Sequence, residues 1–339
     1  MIRTRLRLKF KVVKQTSIHS TNVQNKESNE DRYVLVNKHF FQEGDKLNFK
    51  LYSPDDKTHM SLFLQADSVI IEEQREKLKH LEQLFVLKSE KDKYKNFLEN
   101  NLQKVLKNDT LTLDEKTEIV YETSTDLTQD LYTNPNALEN AKLSKTIVEP
   151  ILETIFYHKD TISSYLKIIE YDYYTHTHSL NVSVYALCLG HELQLDKEVL
   201  TALGRSALLH DIGKSKISSN IVNKSGALSN FEFEVMKKHP RYGYELALSY
   251  NIKDQNILDG ILFHHEKLDG HGYPNQIDTR NIGLFPRIIS ICDVFDALTT
   301  QRSYKNSMRS YEALMLMKTT MNAHFDMSIL NTFIKMLHK

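Results

Sequence analysis

The 339-residue sequence has few cysteines, no net charge and no long apolar run. Cys188 and Cys292 are the only cysteines and lie far apart, which excludes a disulfide framework and fits a reducing, cytoplasmic environment. A formal net charge of zero argues against a protein that mainly coats a nucleic acid polymer. Because no run of about 18 apolar residues occurs, we expect no membrane insertion. The stretch from Met1 to Lys14 alternates basic and apolar residues, unlike a secretory signal.

The first 70 residues indicate β structure. Arg5 to Val12 alternates polar and apolar residues, which is the period of a half-buried strand. The stretch from Thr16 to Asp31 is polar and predicts a loop. Further strands are predicted at Tyr33 to Val36, Leu47 to Tyr52 and Leu62 to Leu64, with turn signals between them. We therefore predict a small β-rich α+β domain over residues 1–70.

Helical periodicity begins near residue 72. Leucines and other apolar residues recur on one helical face in three segments: Glu73 to Leu87, Tyr94 to Leu106 and Leu113 to Tyr132. Asn134, Pro135 and Asn136 interrupt this pattern, and every long segment after them indicates helix. The predicted fold is multidomain, with a helical connector over residues 71–134 and an all-α domain over residues 135–339.

Histidine is concentrated in the second half of the chain. Eight of the fifteen histidines lie between His176 and His271. A lone histidine is more often a surface or core residue than a metal ligand, but several of these adjoin acidic residues. The concentration therefore favours a metal site in the helical domain.

The strongest local element runs from Leu208 to Lys214. It delivers His210 and Asp211 side by side, and Lys214 lies about one helical turn beyond His210. Imidazole and carboxylate groups suit divalent metals such as iron, manganese or zinc, and one carboxylate can bridge two ions. A His–Asp hydrogen bond at the end of a helix is the alternative interpretation.

Two further elements carry the same residue types. His264 and His265 form an adjacent pair, followed by a loop whose glycines allow close approach to a ligand. Asp293 and Asp296 lie three residues apart in an apolar segment, where a buried carboxylate needs a partner. That partner is either a metal or, in a capping role, the backbone.

The order of these elements resembles the HD-GYP phosphodiesterases, a subgroup of the HD superfamily. The resemblance covers residues from about 150 to 330. Its motifs are Tyr174-Thr175 with His178-Ser179, His210-Asp211-Ile212-Gly213-Lys214, Lys237-Lys238-His239, His264-His265-Glu266, Asp269-Gly270 with Gly272-Tyr273-Pro274, Asp293-Val294-Phe295-Asp296, Arg302 with Tyr304-Lys305, Glu312-Ala313 and Phe325-Asp326.

The resemblance implies a centre of two divalent metal ions, iron or manganese, that hydrolyses cyclic di-GMP to pGpG or GMP through a metal-bridging hydroxide. Asp211 would bridge the metals and Lys214 would contact the substrate phosphate. The implied metal ligands are His178, His210, Asp211, His239, His264, His265 and Asp293. The implied substrate contacts are Lys214, Gly272, Tyr273, Pro274, Arg287, Arg302 and Lys305.

Two other functions stay open from the sequence. One is hydrolysis of another cyclic dinucleotide or nucleotide, because a fold and a motif do not fix the substrate. The other is a receptor or scaffold without catalysis. The N-terminal domain is expected to be a sensor, a regulatory module or a unit for homodimer or partner contact, or else a packed domain without a ligand.

Three departures from the family pattern concern the site. Tyr174 stands where some members have a glutamate that helps to hold a third metal, so we expect two metals. His271 replaces a small residue between the glycines of the loop, and Ser303 replaces a proline. We expect His271 to line the substrate entrance without binding metal; a side chain that points to solvent, or one that stacks on a guanine base, is the alternative.

Overall fold

The computed structural model describes residues 32–36, 38–55, 59–109, 111–136, 138–157, 161–169, 175–300 and 307–338. The predicted strand from Arg5 to Val12 and the predicted loop from Thr16 to Asp31 lie outside these residues. The same holds for four residues of the expected site: Tyr174, Arg302, Ser303 and Lys305.

A four-stranded antiparallel sheet forms the N-terminal part. Its strands are β1 (Tyr33–Val36), β2 (Leu51–Pro54), β3 (Met60–Leu64) and β4 (Leu84–Leu87), in the spatial order β1-β4-β2-β3. The predicted strand from Tyr33 to Val36 is confirmed, and Leu62 to Leu64 lies within β3. Of the predicted strand from Leu47 to Tyr52, only the last two residues belong to β2.

The prediction of one helix from Glu73 to Leu87 is wrong in its second half. Helix α1 (Glu72–His80) ends before Leu81, and the chain then enters β4. Leu84 and Val86 are buried while the residues between and after them are half-buried, which is the alternation of a strand. Pairing with β1 on one side and β2 on the other decides the conformation.

Aromatic residues join helix α2 to the chain segment between β1 and β2. Phe97 on helix α2 (Lys91–Leu106) stacks on Phe41 with ring centroids 5.5 Å apart, and meets Phe40 and Phe49 edge to face. All of these rings are buried. Because such contacts remove much apolar surface from water, they fix α2 against the chain segment between β1 and β2.

The remainder of the described chain is helical. Helix α3 (Leu113–Thr133) begins with a capping box, in which Thr112 and Glu115 satisfy each other's backbone N–H groups. The predicted helices from Tyr94 to Leu106 and from Leu113 to Tyr132 are confirmed. The later helices are α4 (Asn140–Tyr157), α5 (Thr161–Ile168), α6 (Thr175–Glu192), α7 (Lys197–Leu209), α8 (Ser219–Val222), α9 (Asn230–Met236), α10 (His239–Ser249), α11 (Gln255–Phe263), α12 (Leu284–Thr299), α13 (Ser310–Thr319) and α14 (Met327–Leu337).

Helix α6 lies at the centre of the helical part. It is buried from Thr177 to Gly190, and it packs against α3, α4, α7, α12 and α14. The buried apolar side chains form one continuous cluster from the sheet to α14. The division at residues 70 and 134 therefore stays a prediction. Within the described residues, no helix is long and apolar enough to cross a bilayer.

Candidate metal centre

Five helices deliver the seven predicted metal ligands to one place. His178 lies in the first turn of the buried helix α6, and Asp293 lies on α12. His239 begins α10, while the His210-Asp211 and His264-His265 pairs directly follow α7 and α11. The ligand atoms fall into three overlapping groups, each within 4.8 Å: Asp211, His239, His264 and His265; His178, His210 and Asp211; His210, His264 and Asp293.

Gly213 allows the turn after Asp211 to pack closely against helix α10. A Cβ atom at this position would lie 2.0 Å from the carbonyl oxygen of His239 and 2.4 Å from the backbone nitrogen of Gly243. The turn after Asp211 therefore packs backbone to backbone on α10. This contact holds Asp211 against His239.

Asp211 lies between the histidine groups. Its Oδ1 atom lies 3.3 Å from Nε2 of His239. Its Oδ2 atom lies 3.4 Å from Nε2 of His210 and 3.6 Å from Nε2 of His178. The two carboxylate oxygens thus face different histidines, as a bridging ligand requires.

In three histidines, the Nδ1 atom makes a hydrogen bond to a backbone carbonyl oxygen. Nδ1 of His210, His239 and His264 lies 2.7–2.8 Å from the carbonyl oxygen three residues earlier. Because a carbonyl only accepts, Nδ1 donates and the lone pair is on Nε2. The Nε2 atoms of His239 and His264 lie 3.2 Å apart. Because two lone pairs at this short distance repel each other, the arrangement favours a cation between them.

His178 is oriented by a carboxylate. Its Nδ1 atom lies 2.7 Å from Oδ2 of Asp296, and its Nε2 atom lies 3.1 Å from Oδ1 of Asp293. Asp296 is fully buried and also accepts a hydrogen bond from the amide of Asn181. Asp296 therefore orients His178 without belonging to the groups that could hold a metal ion. Its place in an apolar segment indicated a partner, but no sequence pattern pointed to Asn181.

Burial and neighbouring groups keep the predicted ligands in the protonation states that metals require. It lowers the pKa of His239 to about 3 and of His265 to about 4, and it lowers the pKa of His264 well below its ordinary value. Burial alone would raise the pKa of Asp211, but the positive charge of Lys214, the first opposing cause, helps to outweigh it and hold that pKa well below the ordinary range.

The pKa of Asp293 is also held well below its ordinary value. Burial opposes the ionised form, but the contact of Asp293 with the ring of His178 outweighs that effect. Neutral imidazoles and ionised carboxylates are the forms that bind divalent metals.

Some buried atoms of the predicted metal ligands are left without a hydrogen bond. Nε2 of His210 and Oδ1 of Asp211 are buried and have no hydrogen-bond partner in the described part of the chain. A buried polar atom in this state costs about 1–3 kcal/mol unless something else satisfies it. The nitrogen and oxygen donor set fits one or more divalent ions, and such ions would satisfy both atoms.

The Gly272-Tyr273-Pro274 loop covers one side of the cluster. The ring of Tyr273 lies 4.6 Å from the ring of His265, centroid to centroid, at an angle of 31°. The backbone N–H of Tyr273 donates to the carbonyl oxygen of His265. Glu266 is buried, and its carboxylate accepts the backbone N–H groups of residues 275, 276 and 277. Glu266 thus anchors the loop, a role that the sequence motif alone did not reveal.

The other predicted substrate contacts differ in position. Lys214 forms an ion pair with Oδ2 of Asp211 and borders an open cavity of about 380 Å³. Arg287 instead donates to Asp326 and to the carbonyl oxygens of Thr279 and Ile282. These contacts brace the loop region, and substrate binding by Arg287 stays a prediction. A larger cavity of about 800 Å³ lies away from the cluster, between α2, the end of α3 and the start of α4.

His271 is exposed. Its side chain is 84% accessible to solvent, and Nδ1 lies 3.5 Å from the carboxylate of Asp269. This position favours a solvent-facing side chain. A place at the substrate entrance stays a prediction.

Comparison with known proteins relates the helical part to a family. The family model described as HD domain matches residues 155–329, just over half of the chain. The cyclic di-GMP phosphodiesterase PA4108 of Pseudomonas aeruginosa is 33% identical over 199 residues, which cover 59% of this chain and 48% of that protein. The 3'3'-cGAMP-specific phosphodiesterase 3 of Vibrio cholerae is 32% identical over 205 residues, which cover 60% of this chain and 42% of that protein. The chain thus spans about half the length of these relatives.

A solved structure supports the fold over most of the chain. The HDG"Y"P protein Bd1817 from Bdellovibrio bacteriovorus superposes with a TM-score of 0.64 at 20% identity, covering 91% of this chain and all of that one. This likeness concerns the fold alone. The match of the family model over more than half of the chain shows the family: the chain belongs to the HD domain family.

Proposed function

We propose that the chain is a metal-dependent phosphodiesterase that hydrolyses cyclic di-GMP. The observation that carries this proposal is the position of Asp211, whose two carboxylate oxygens face different histidines. That geometry supports two metal ions bridged by one carboxylate. We propose iron or manganese, held by the seven residues of the cluster.

Bound divalent ions would polarise the phosphate and lower the pKa of the attacking water. The protein's own residues do the remainder. The ionised carboxylates of Asp211 and Asp293 compensate cationic charge within a buried site. Lys214 carries a fixed positive charge at the edge of the cluster, where it can stabilise a non-bridging phosphate oxygen as negative charge develops.

The balance of the reaction is simple. The oxygen of water bonds to phosphorus, the bond from phosphorus to the 3' oxygen breaks, and that oxygen leaves with a proton. One such step opens the ring to pGpG, and a second gives GMP. Tyr273 lies over His265 at the side where the loop covers the cluster, so its ring can contact the nucleotide. Arg302 and Lys305 are proposed phosphate contacts from the sequence.

A second candidate substrate is 3'3'-cGAMP, because a relative of similar identity is named for it. Both substrates share the phosphodiester ring and differ in one base. The metal cluster can therefore hydrolyse either cyclic dinucleotide, and residues outside the cluster must determine which of the two substrates is preferred.

The experiment compares both substrates on the full chain. Protein reconstituted with Mn²⁺ or Fe²⁺ is incubated with cyclic di-GMP or 3'3'-cGAMP, and the products are separated by chromatography. We expect turnover of cyclic di-GMP with the larger kcat/KM. A larger kcat/KM for 3'3'-cGAMP selects the second candidate, and binding without turnover of either indicates a receptor.

The N-terminal sheet and helix α2 are proposed to act as a regulatory unit, as a site of homodimer formation or as a contact with a signalling partner. We also keep the three-part layout, with boundaries near residues 70 and 134, as a proposal. Limited proteolysis that releases a stable helical fragment beginning near residue 135 supports that boundary.

A further inference from the structure

Helix α3 contributes a hydroxyl group to the surroundings of the metal cluster. Tyr121 lies on α3 and is buried. Its hydroxyl donates a hydrogen bond of 2.6 Å to Oδ1 of Asn181 on α6. Asn181 is fully buried and lies three residues after His178, on the same face of α6.

Asn181 in turn connects through Asp296 to His178, a proposed metal ligand. Nδ2 of Asn181 donates to Oδ1 of Asp296 at 3.0 Å, and Oδ2 of Asp296 lies 2.7 Å from Nδ1 of His178. Three helices, α3, α6 and α12, are thus joined by a chain of side-chain hydrogen bonds. It starts at Tyr121 and ends at His178, whose Nε2 faces Asp293 and Asp211.

The direction of each bond follows from chemistry. The Asp296 carboxylate only accepts, so the amide nitrogen of Asn181 must face it, and the amide oxygen then faces Tyr121. With both carboxylate oxygens engaged, Asp296 cannot rotate away from the imidazole. An imidazole that donates Nδ1–H to a fixed carboxylate is a more basic and better oriented ligand at Nε2.

We propose that Tyr121 is a positioning residue for His178 and that it acts on metal affinity through Asn181 and Asp296. This inference rests on the proposed metal centre. Helix α3 ends at Thr133, before residue 155, where the match to the HD domain begins. The metal centre thus depends on a helix outside the part that defines the family.

The test measures metal affinity of the full chain after removal of metal by chelation. Mn²⁺ is titrated against a competing chelator for the unchanged protein and for Tyr121→Phe. We expect Tyr121→Phe to raise the Kd of the weakened site by about 3- to 10-fold, less than the 10- to 100-fold typical when a direct partner of a ligand is removed.

Tyr165→Phe is the matched control. Tyr165 is another fully buried tyrosine, and its hydroxyl bonds to Thr154 at 2.7 Å. This variant loses a buried hydroxyl contact of the same kind, so its melting temperature should fall similarly. Its Mn²⁺ affinity should stay within about twofold of the unchanged protein, because neither partner contacts the chain of bonds to His178. Equal loss of affinity in both variants overturns the proposal.

A double-mutant cycle tests the route. Asp296→Asn removes the link to His178, so adding Tyr121→Phe to it should change the Kd less than twofold. Additive effects of the two substitutions on the Kd contradict the route through Asn181 and Asp296.

If Tyr121→Phe does not fold, Asn181→Ala replaces it, because this variant keeps Tyr121 and breaks the same link. Unchanged Mn²⁺ affinity in the folded variant contradicts this inference alone, whereas failure of the unchanged protein to bind Mn²⁺ contradicts the proposed metal centre.

Discussion

Gly272 lies so close to Glu266 that a Cβ atom at position 272 would be 2.4 Å from the Cα atom of Glu266. The same Cβ would lie 2.6 Å from the carbonyl oxygen of His265. Both neighbours are backbone atoms, so neither can move as a flexible side chain would. The loop therefore sits on the ligand-bearing segment only because residue 272 has no side chain.

Gly272→Ala tests this contact. The added methyl group should displace the loop, move Tyr273 off His265 and lower the free energy of unfolding by about 1–3 kcal/mol. We expect KM for cyclic di-GMP to rise about tenfold, as measured by steady-state kinetics. The control is Gly283→Ala, where a Cβ meets only Pro286 at 3.9 Å. An unchanged KM in Gly272→Ala contradicts the role of the loop in substrate binding.

Glu266→Gln tests the anchor of the same loop. The carboxylate of Glu266 accepts three backbone N–H groups, and an amide offers only one accepting oxygen to them. We expect kcat/KM to fall about 10- to 100-fold, with metal content unchanged by elemental analysis. Glu245→Gln, at an exposed glutamate of α10, is the control. Loss of metal in Glu266→Gln places the residue in the metal centre and contradicts the anchoring role.

Acid should destabilise the metal-free protein through its buried histidines. Burial lowers the pKa of His239 to about 3 and of His265 to about 4, whereas the unfolded chain binds these protons near pH 6.5. Between these values the unfolded state holds more protons. Stability is therefore full above pH 6.5 and is lost as pH falls toward 4, by about 1.4 kcal/mol per pH unit for each such group.

Urea denaturation of chelated protein at several pH values checks this slope. His239→Gln should flatten the slope, because one of the groups is removed. His338→Gln, at an exposed histidine near the C-terminal end, should leave it unchanged. A stability that does not change between pH 6.5 and 4.5 contradicts the buried, neutral histidines.

The sequence was informative about the ligands because several of them are neighbours along the chain. His210-Asp211 and His264-His265 are adjacent pairs at the ends of helices, and Asp293 repeats the residue type in an apolar helix. Their positions relative to one another follow from the family pattern. The structure brings these residues together in groups that could hold a metal ion, and their role as ligands stays a prediction.

The supports of these ligands could not be predicted in the same way. His178 and Asp296 are 118 positions apart, and Tyr121 and Asn181 are 60 positions apart. Such contacts arise only when α3, α6 and α12 pack together. The strand β4 was missed for a related reason, because four apolar residues between two helices become a strand only through their neighbours in the sheet.

The central claim is that Asp211 bridges two metal ions and makes hydrolysis possible. The measurement that tests it most directly pairs elemental analysis with turnover of cyclic di-GMP for the unchanged chain and for Asp211→Asn. We predict two metals per unchanged chain with turnover, and a loss of at least about 100-fold in kcat with reduced metal content in Asp211→Asn. Full turnover by Asp211→Asn with two bound metals, or no turnover by the metal-loaded unchanged chain, would contradict the account.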